Sequence, residues 1–168
     1  MSPKLRPIEL ADSDAFSELM LELAHETPNT LLTAEEYQAI AASQVNRTRY
    51  LIESPRELVL IAETKKKPVG FIALTQGAFQ RNAHVAGLMI GVRKDFWRQG
   101  IATALLQSAK QWVEERKIQR VEFTVMENNH RALQFYLQQG FRQEGIRTNS
   151  IKIDGILLNE ISMSWILR

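Results

Sequence analysis

The spacing of apolar residues changes along the chain, and each change predicts a different kind of element. A first short strand is predicted over residues 4–9. Apolar residues then recur at helical spacing, which predicts a helix capped by Asp12 and a second helix capped by Thr33, where Glu36 completes a capping box. The residues expected to form the buried stripe of the second helix are Tyr37, Ile40, Ala41 and Val45.

From residue 58 onward the apolar residues come in runs of strand length. Three strands are predicted over residues 58–62, 69–74 and 84–92, and a lysine-rich hairpin loop joins the first two. The third strand contains Gly87 and Gly91. Glycine inside a strand predicts a bulge or the close approach of a ligand to the backbone.

The second half of the chain alternates helix and strand before it ends in a hairpin. A helix is predicted from about Gly100 to Arg116, a strand over residues 121–126, and a short helix from His130 to Gln138 that ends at Gly140. The last two strands surround Asp154-Gly155, a pair that is typical of a two-residue hairpin turn.

The predicted order is therefore a strand, two helices, three strands, a helix, a strand, a helix and two strands. This order predicts an α/β (α+β) fold: a mixed, mostly antiparallel, twisted sheet of about seven strands with helices on both faces. The helix after the three-stranded meander should carry the chain across to a parallel strand. No linker or repeat divides the chain, so residues 1–168 are expected to form one domain.

Composition excludes several classes of function. The chain is 45% hydrophobic and 24% charged, as in globular proteins, and it has no cysteine, which excludes thiol nucleophiles, Cys-ligated metals and disulfides. Its three histidines lack metal-ligand spacing, so no metal site is predicted. Neither a bilayer-spanning run nor a secretory signal is visible, which predicts a cytoplasmic protein without a membrane partner. The net charge of only +2 gives no support for a nucleic-acid partner.

Residues 97–103 join the meander to the next helix, and their composition suits a phosphate group. The first N–H groups of a helix have no intrahelical partners, and the helix dipole places partial positive charge there. Gly100 and Ala102 leave room for a phosphate beside the backbone, and Arg98 adds a positive charge. The segment is neither a Walker loop nor a three-glycine dinucleotide fingerprint, and alone it also fits an ordinary strand–helix junction.

A second segment follows the next strand. Asn129 precedes the short helix, Ala132 and Tyr136 lie on it, and Gly140-Phe141 closes it. Taken alone, Asn129 is most simply an N-cap and Tyr136 an amphipathic core residue.

Together the two segments resemble those of the GCN5-related N-acetyltransferase (GNAT) superfamily. The phosphate loop of that family has Arg or Gln, two residues, Gly, any residue, and Gly or Ala, and residues 97–102 match it except that Trp97 stands at the Arg or Gln position. The second segment, with Asn, Ala three residues on, Tyr seven residues on and a closing Gly-Phe, matches at every step. The predicted element order is also similar, so the resemblance covers nearly the whole chain.

The resemblance implies an acetyl-CoA-dependent N-acetyltransferase that acts on a primary amine: an amino acid, a polyamine, a small amine or a protein N-terminus. The amine would attack the thioester directly, with Tyr136 as the general acid that protonates the sulfur of CoA. His84 and Glu26 are the two candidates for the general base. Late strands often pair across subunits in this family, which gives a homodimer as a further expectation.

The resemblance also implies where the cofactor binds. The third strand of the meander and the strand that follows the next helix should splay apart to admit the thioester, and the N–H near Ile90 should polarise the acetyl carbonyl. The residues implied in cofactor binding are Ile90, Val92, Arg98, Gln99, Gly100, Ile101, Ala102, Thr103, Asn129 and Tyr136.

Two other classes of function stay open on the sequence. A non-catalytic acyl-CoA-binding regulatory module would keep the phosphate loop without needing a general acid. A nucleotide-binding protein would use the same helix start for another phosphate. Within the enzyme hypothesis, residues 26–33 and the last hairpin are expected to select the acceptor amine.

Overall fold

A computed structural model of the chain describes residues 3–167. The helices in this range are α1 (Ser13–Glu26), α2 (Ala34–Ile40), α3 (Gln44–Glu53), α4 (Ile101–Glu115) and α5 (His130–Gln138). The strands are β1 (Lys4–Pro7), β2 (Glu57–Thr64), β3 (Lys67–Gln76), β4 (Val85–Val92), β5 (Arg120–Met126), β6 (Arg142–Ile153) and β7 (Ile156–Ile166).

Within the described residues, seven strands form one sheet in the order β1-β2-β3-β4-β5-β7-β6. Every neighbouring pair is antiparallel except β4 and β5, which are parallel and joined through α4. The predicted α/β class and the mixed, mostly antiparallel sheet are therefore confirmed.

The second predicted helix is two helices in the structure. Thr33 and Glu36 form the expected capping box, with bonds of 2.8 and 3.2 Å between each side chain and the other residue's N–H. A 3₁₀ turn then separates α2 from α3. The predicted stripe is wrong, because Ala41 and Val45 are exposed: the turn resets the helical phase, so residues on its two sides do not share a face. The residues buried instead are Ala34, Gln44 and Thr48.

Asp12 occupies the N-cap position of α1, but its carboxylate makes no cap hydrogen bond to that helix. It accepts two bonds from the guanidinium of Arg6, at 2.7 and 2.8 Å, and Arg6 also donates to Glu63 at 2.7 Å. A charge-assisted bidentate pair is stronger than a backbone cap, which explains the difference from the prediction. The bond from Arg6 lowers the pKa of Asp12, and the cluster ties β1 and the start of α1 to β2.

Two cores flank the sheet because β2 and β3 are apolar on both faces. On one face, Leu60 and Ile72 pack against α4 and α5. On the other face, Ile61 and Phe71 pack against α1. Burial on both faces explains why these two strands are continuous apolar runs in the sequence rather than alternating ones.

The β4–β5 pair separates after a short parallel contact. Residues 85–87 oppose residues 120–122, and the carbonyl of His84 closes this end by accepting bonds from the N–H groups of Gln119 and Arg120 at 2.8 and 3.1 Å. Both strands then continue without pairing to each other. We call the point of separation, after Gly87 and Glu122, the fork. It opens the gap that the family resemblance implies.

The two glycines of β4 have different surroundings, and neither forms a bulge, since β4 pairs with β3 in unbroken register. A Cβ at Gly91 would lie 2.8 Å from Leu23 of α1 and 2.9 Å from Phe71, so the close approach there is made by a helix rather than by a ligand. A Cβ at Gly87 would meet only the Thr75 carbonyl, at 4.0 Å, so this glycine faces open space at the fork.

Candidate active site

Main-chain groups of β4 form one wall of the gap. Two backbone hydrogen bonds flank the β3–β4 ladder at odd-numbered positions: Arg93 N to Val69 O and Gly77 N to Val85 O, each 2.9 Å. Hydrogen bonding alternates along an antiparallel strand, so the N–H and C=O groups at even positions point away from β3 and toward the gap. Of the two residues that the family resemblance implies beside the cofactor, Ile90 therefore presents its N–H and C=O groups to the gap. Val92 presents its N–H, since its carbonyl accepts a bond from Trp97.

The loop at the open end of the gap has an unusual backbone conformation. Gly100 is the N-cap of α4 with φ of 77°, and Arg98 has φ of 59°. A Cβ at Gly100 would meet nothing within 4 Å, so the position favours glycine because of its conformation rather than for lack of space. Within the described chain no side chain caps α4, which leaves the first N–H groups of this helix, at residues 101–103, free to bind an anion.

Trp97, the residue that departs from the family pattern, fixes this loop through two contacts. Its indole Nε1 donates to the Val92 carbonyl at 2.6 Å, and the Arg131 guanidinium lies 3.0 Å from its ring centroid. Burial and the charge of Arg98 lower the pKa of Arg131. Neither arginine forms an ion pair with another part of residues 3–167. Two unpaired cations therefore lie beside the loop, where they suit an anionic cofactor.

Tyr136 lies beside the fork on α5. Its side chain packs on Phe123, with ring centroids 4.2 Å apart, and on Phe141, with centroids 5.5 Å apart. Phe123 is the first residue of β5 beyond the contact with β4. Burial raises the pKa of the Tyr136 hydroxyl, which has no hydrogen-bond partner in the described range. The hydroxyl is therefore protonated at neutral pH and free to donate.

Asn129 has the capping role that its position in the sequence allows. Its Oδ1 accepts a hydrogen bond from the N–H of Ala132 at 3.3 Å. The cap fixes the start of α5 at the end of the loop after β5, and it thereby helps to hold Tyr136 beside the fork.

The two candidate bases lie at opposite ends of β4. His84 is exposed at the paired end. Glu26, at the end of α1, accepts bonds from Arg93 Nε at 2.8 Å and from the Lys94 N–H at 2.7 Å. The extended chain between His84 and Arg93 spans roughly 30 Å, so the structure does not bring the two candidates together. Both carboxylate oxygens of Glu26 are engaged in anchoring α1 to the segment after β4.

A cavity of about 290 Å³, which we call the α1–α3 cavity, lies between those helices and the sheet. It reaches the sheet at the fork, because Gly87, Leu88 and Met89 line it. Neither His84 nor Glu26 is among the described residues that line it. Sequence analysis missed this cavity, since its walls come from six elements and no motif links them.

The described chain gives no sign of a metal centre or a membrane segment. Among residues 3–167 no group of three or more His, Cys, Asp or Glu side chains is arranged to hold a metal ion. In the same range no helix has the length and apolarity needed to cross a membrane.

Comparison with known proteins places this arrangement in a family. The family model for the acetyltransferase (GNAT) family matches residues 17–141, which include the fork, the loop and Tyr136. The chain therefore belongs to the GNAT family of acetyltransferases. An uncharacterized N-acetyltransferase of Methanocaldococcus jannaschii is 30% identical over 101 residues. That match covers 58% of this chain and 45% of the relative, so the chain spans less than half the length of that protein.

Solved structures share the whole fold. An acetyltransferase of the GNAT family from Streptococcus pneumoniae superposes with a TM-score of 0.90 at 23% identity, covering 98% of this chain and 99% of that one. A candidate acetyltransferase from Salmonella typhimurium, solved with its cofactor acetyl-CoA, has a TM-score of 0.82 at 15% identity, and the match covers 100% of this chain and 95% of that one. Such identities show the fold alone. The prediction of acetyl-CoA as cosubstrate is confirmed for the family to which the chain belongs.

Proposed function

We propose that this chain is an acetyl-CoA-dependent N-acetyltransferase that transfers the acetyl group to a primary amine. The observation that carries the proposal is the meeting of three features at the fork. The unpaired main chain of β4 leads to the loop before α4, the protonated hydroxyl of Tyr136 lies on one face, and the α1–α3 cavity opens on the other.

The residues present suit an acyl-CoA. The free N–H groups at the start of α4, with Arg98 and Gln99, would bind the pyrophosphate, and the main chain of Ile90 and Val92 would bind the pantetheine amides. Asn129 would bind the pantetheine or an ordered water. When bound, acetyl-CoA supplies a thioester carbonyl as the electrophile, and the N–H near Ile90 would stabilise negative charge on its oxygen.

Tyr136 is proposed as the general acid. The neutral amine nitrogen forms a bond to the acetyl carbon as the carbon–sulfur bond breaks, and Tyr136 donates its proton to the leaving sulfur. The proton that the new amide nitrogen loses returns to Tyr136, so the products are the N-acetylated amine and CoA with a free thiol. The raised pKa of Tyr136 keeps the hydroxyl protonated for this step.

The test is release of the CoA thiol from acetyl-CoA over a panel of amino acids, polyamines and short peptides, corrected by a blank without amine. Tyr136→Phe should slow turnover by roughly 10²- to 10⁴-fold with little change in acetyl-CoA affinity. Tyr50→Phe, a matched change at an exposed tyrosine of α3, should leave both quantities unchanged.

Two results would point to the other classes of function. Saturable acetyl-CoA binding without release on any amine would support a non-catalytic acyl-CoA-binding module. Displacement of bound CoA by ATP would support a nucleotide-binding protein. Turnover of Tyr136→Phe at the wild-type rate would remove that residue from the mechanism.

The general base, which would take the proton that the acceptor's ammonium group must lose before it attacks, is part of the same proposal, with His84 and Glu26 as the candidates from the sequence. His84→Ala and Glu26→Gln should be compared by their pH–rate profiles, because loss of the base depresses turnover most where the wild-type base is deprotonated. A lower melting temperature with an unchanged profile in Glu26→Gln would assign that carboxylate to anchoring α1 instead.

A homodimer and a cytoplasmic location complete the proposal. The outer strand of the sheet, β6, is exposed over residues 142–149, and three neighbouring apolar side chains are exposed: Ile146, Ile156 and Leu157. A second copy pairing along this edge would cover them. Light scattering should then give twice the chain mass, and Ile146→Lys should halve it. The cytoplasmic location is compatible with a chain that has no cysteine and so needs no oxidising compartment for disulfides.

A further inference from the structure

We infer that the α1–α3 cavity binds a small apolar amino acid as the acetyl acceptor, with its ammonium group at Glu57 and its carboxylate at Arg47. The inference rests on the proposed N-acetyltransferase activity and names the substrate class for it. It is carried by the position of the cavity, by its apolar walls, and by one carboxylate and one guanidinium that line it without an ion-pair partner among the described residues.

The position of the cavity connects it to the fork. Glu57, Thr75, Gly87 and Glu122 are cross-strand neighbours in one row on β2, β3, β4 and β5. At about 4.8 Å per strand, the backbone of Glu57 lies roughly 10 Å from Gly87. Between Glu57 and Gly87 this row holds only Thr75, whose hydroxyl donates to Glu57, and Gly87 itself faces open space. The cavity, which Glu57 and Gly87 both line, therefore connects this carboxylate to the fork.

The size and walls of the cavity select a small apolar molecule. A cavity of about 290 Å³ has room for an amino acid. Apolar side chains dominate its walls, among them Phe16, Met20, Leu51, Val59, Phe71 and Met89. A polyamine would bring several charges into apolar surroundings, where each unpaired charge is costly.

Glu57 is the carboxylate of the row that is free to bind an ammonium group. Its Oε2 accepts a 2.6 Å hydrogen bond from Thr75 Oγ1, which holds the side chain toward the next strand of the row. The second carboxylate of the row, Glu122, is paired with Arg120 at 2.5 Å. The other oxygen of Glu57 has no ion-pair partner among the described residues, so it can accept hydrogen bonds from an ammonium group.

Arg47 supplies the opposite charge. It lies on α3 one turn after Gln44 and one turn before Leu51, both of which also line the cavity. It forms no ion pair with any carboxylate of the described chain. Burial raises the pKa of Tyr37, which also lines the cavity, and the nearby Arg47 charge opposes that rise. An unpaired guanidinium at an apolar cavity suits a carboxylate, which it can bind through two hydrogen bonds.

Calorimetry on the CoA-loaded protein tests these assignments with three matched ligands. L-Phenylalanine carries both charged groups, phenethylamine lacks the carboxylate, and 3-phenylpropanoate lacks the ammonium. L-Leucine and L-methionine are titrated in parallel to cover smaller apolar side chains. We expect at least one of the amino acids L-phenylalanine, L-leucine and L-methionine to bind. Its binding should be at least tenfold tighter than that of analogues that lack either charged group.

Variants separate the two ends of the ligand. Arg47→Gln should weaken amino acid binding at least tenfold and leave phenethylamine unchanged. Glu57→Gln keeps an oxygen that can accept the bond from Thr75. It should weaken the binding of the amino acid and of phenethylamine and leave the binding of 3-phenylpropanoate unchanged. Arg49→Gln, an exposed arginine on the same helix, is the matched control and should change none of them.

The outcomes distinguish this inference from the proposed function. Failure of all three amino acids to bind, or equal weakening of every ligand by Arg47→Gln, overturns the inference. Thiol release with a polyamine or peptide alone would overturn it while supporting the N-acetyltransferase. Specific amino acid binding without thiol release on any amine would support the site and contradict the proposed reaction.

Discussion

The two sides of the fork are built in different ways. On the loop side, the groups suited to the cofactor are main-chain atoms of residues 90–103, so one contiguous stretch supplies most of them. On the cavity side, the walls are side chains drawn from helices and strands between residues 16 and 89. A site made of backbone depends on local conformation, whereas a site made of side chains depends on how distant elements pack. Changes on the two sides should therefore separate cofactor binding from acceptor use.

The largest difference between the effect on amine use and the effect on acetyl-CoA binding is expected for a substitution at Gly87. Leucine there would extend from β4 into the α1–α3 cavity, because a Cβ at this position has room and Gly87 lines the cavity on the same face of the sheet as Thr75. Displacing the acceptor by about 1 Å from its reactive position costs on the order of 10²-fold. Gly87→Leu should therefore lower kcat/KM for the amine by about 10²-fold and leave acetyl-CoA binding unchanged, as measured by thiol release and by calorimetry.

A smaller substitution at Gly87 provides the matched control for this prediction. Gly87→Ala adds only the Cβ that the structure accommodates and restricts the unfolded chain, so its melting temperature should be no lower than that of the wild type. If Gly87→Leu lowers the affinity for acetyl-CoA as much as it lowers kcat/KM for the amine, the cavity and the cofactor gap are not separate sites.

The Arg6–Asp12 pair anchors the helical layer above the cavity. Replacing Asp12 by Asn removes charge-assisted hydrogen bonds worth about 1.5–3 kcal/mol each, which at neutral pH should lower the melting temperature by several degrees. The pKa of Asp12 is lowered from 3.8 by its bond to Arg6. The stabilisation is therefore present above about pH 4 and is lost as the pH falls through the folded-state pKa.

The difference between wild type and Asp12→Asn should accordingly shrink as melting is followed by circular dichroism from pH 7 to pH 2. Asp14→Asn, at an exposed carboxylate two residues further on in the first turn of α1, serves as the control with a smaller effect. A difference that stays constant over this range would mean that the charge of Asp12 does not stabilise the fold.

On the loop side, the corresponding glycine is Gly100. Alanine at φ of 77° costs about 1–2 kcal/mol in the left-handed region, which strains the turn that presents the α4 N–H groups. Gly100→Ala should therefore weaken CoA binding about tenfold by calorimetry. Gly145→Ala on β6 has ordinary φ and equal room for a Cβ, so it controls for the added methyl group and should leave the affinity unchanged. Wild-type affinity in Gly100→Ala would show that the turn does not position the anion.

The same contrast explains what could be predicted from the sequence. Helix α5 begins and ends as predicted, and Asp154-Gly155 forms the expected turn with φ of 50° and 81°, because caps and hairpin turns depend on neighbouring residues. The break between α2 and α3 was not predicted, because each half of that segment has helical periodicity. The stack of Arg131 on Trp97 and the approach of Arg47 and Glu57 to one cavity are tertiary contacts with no local signal.

The smallest effect is expected at Asn129, which caps α5 and is also proposed to bind the cofactor. Asn129→Ala removes the α5 cap and should cost about 1 kcal/mol of unfolding free energy. Asn129→Asp keeps an acceptor oxygen and adds a negative charge that the helix start favours, so its stability should match the wild type. A carboxylate cannot donate a hydrogen bond, however. If Asn129 also donates to the cofactor, both variants should weaken acetyl-CoA binding in calorimetry, although only the alanine is less stable in denaturant melts. Wild-type affinity in Asn129→Asp would limit this residue to the cap and leave Tyr136 as the α5 residue that acts on the proposed reaction.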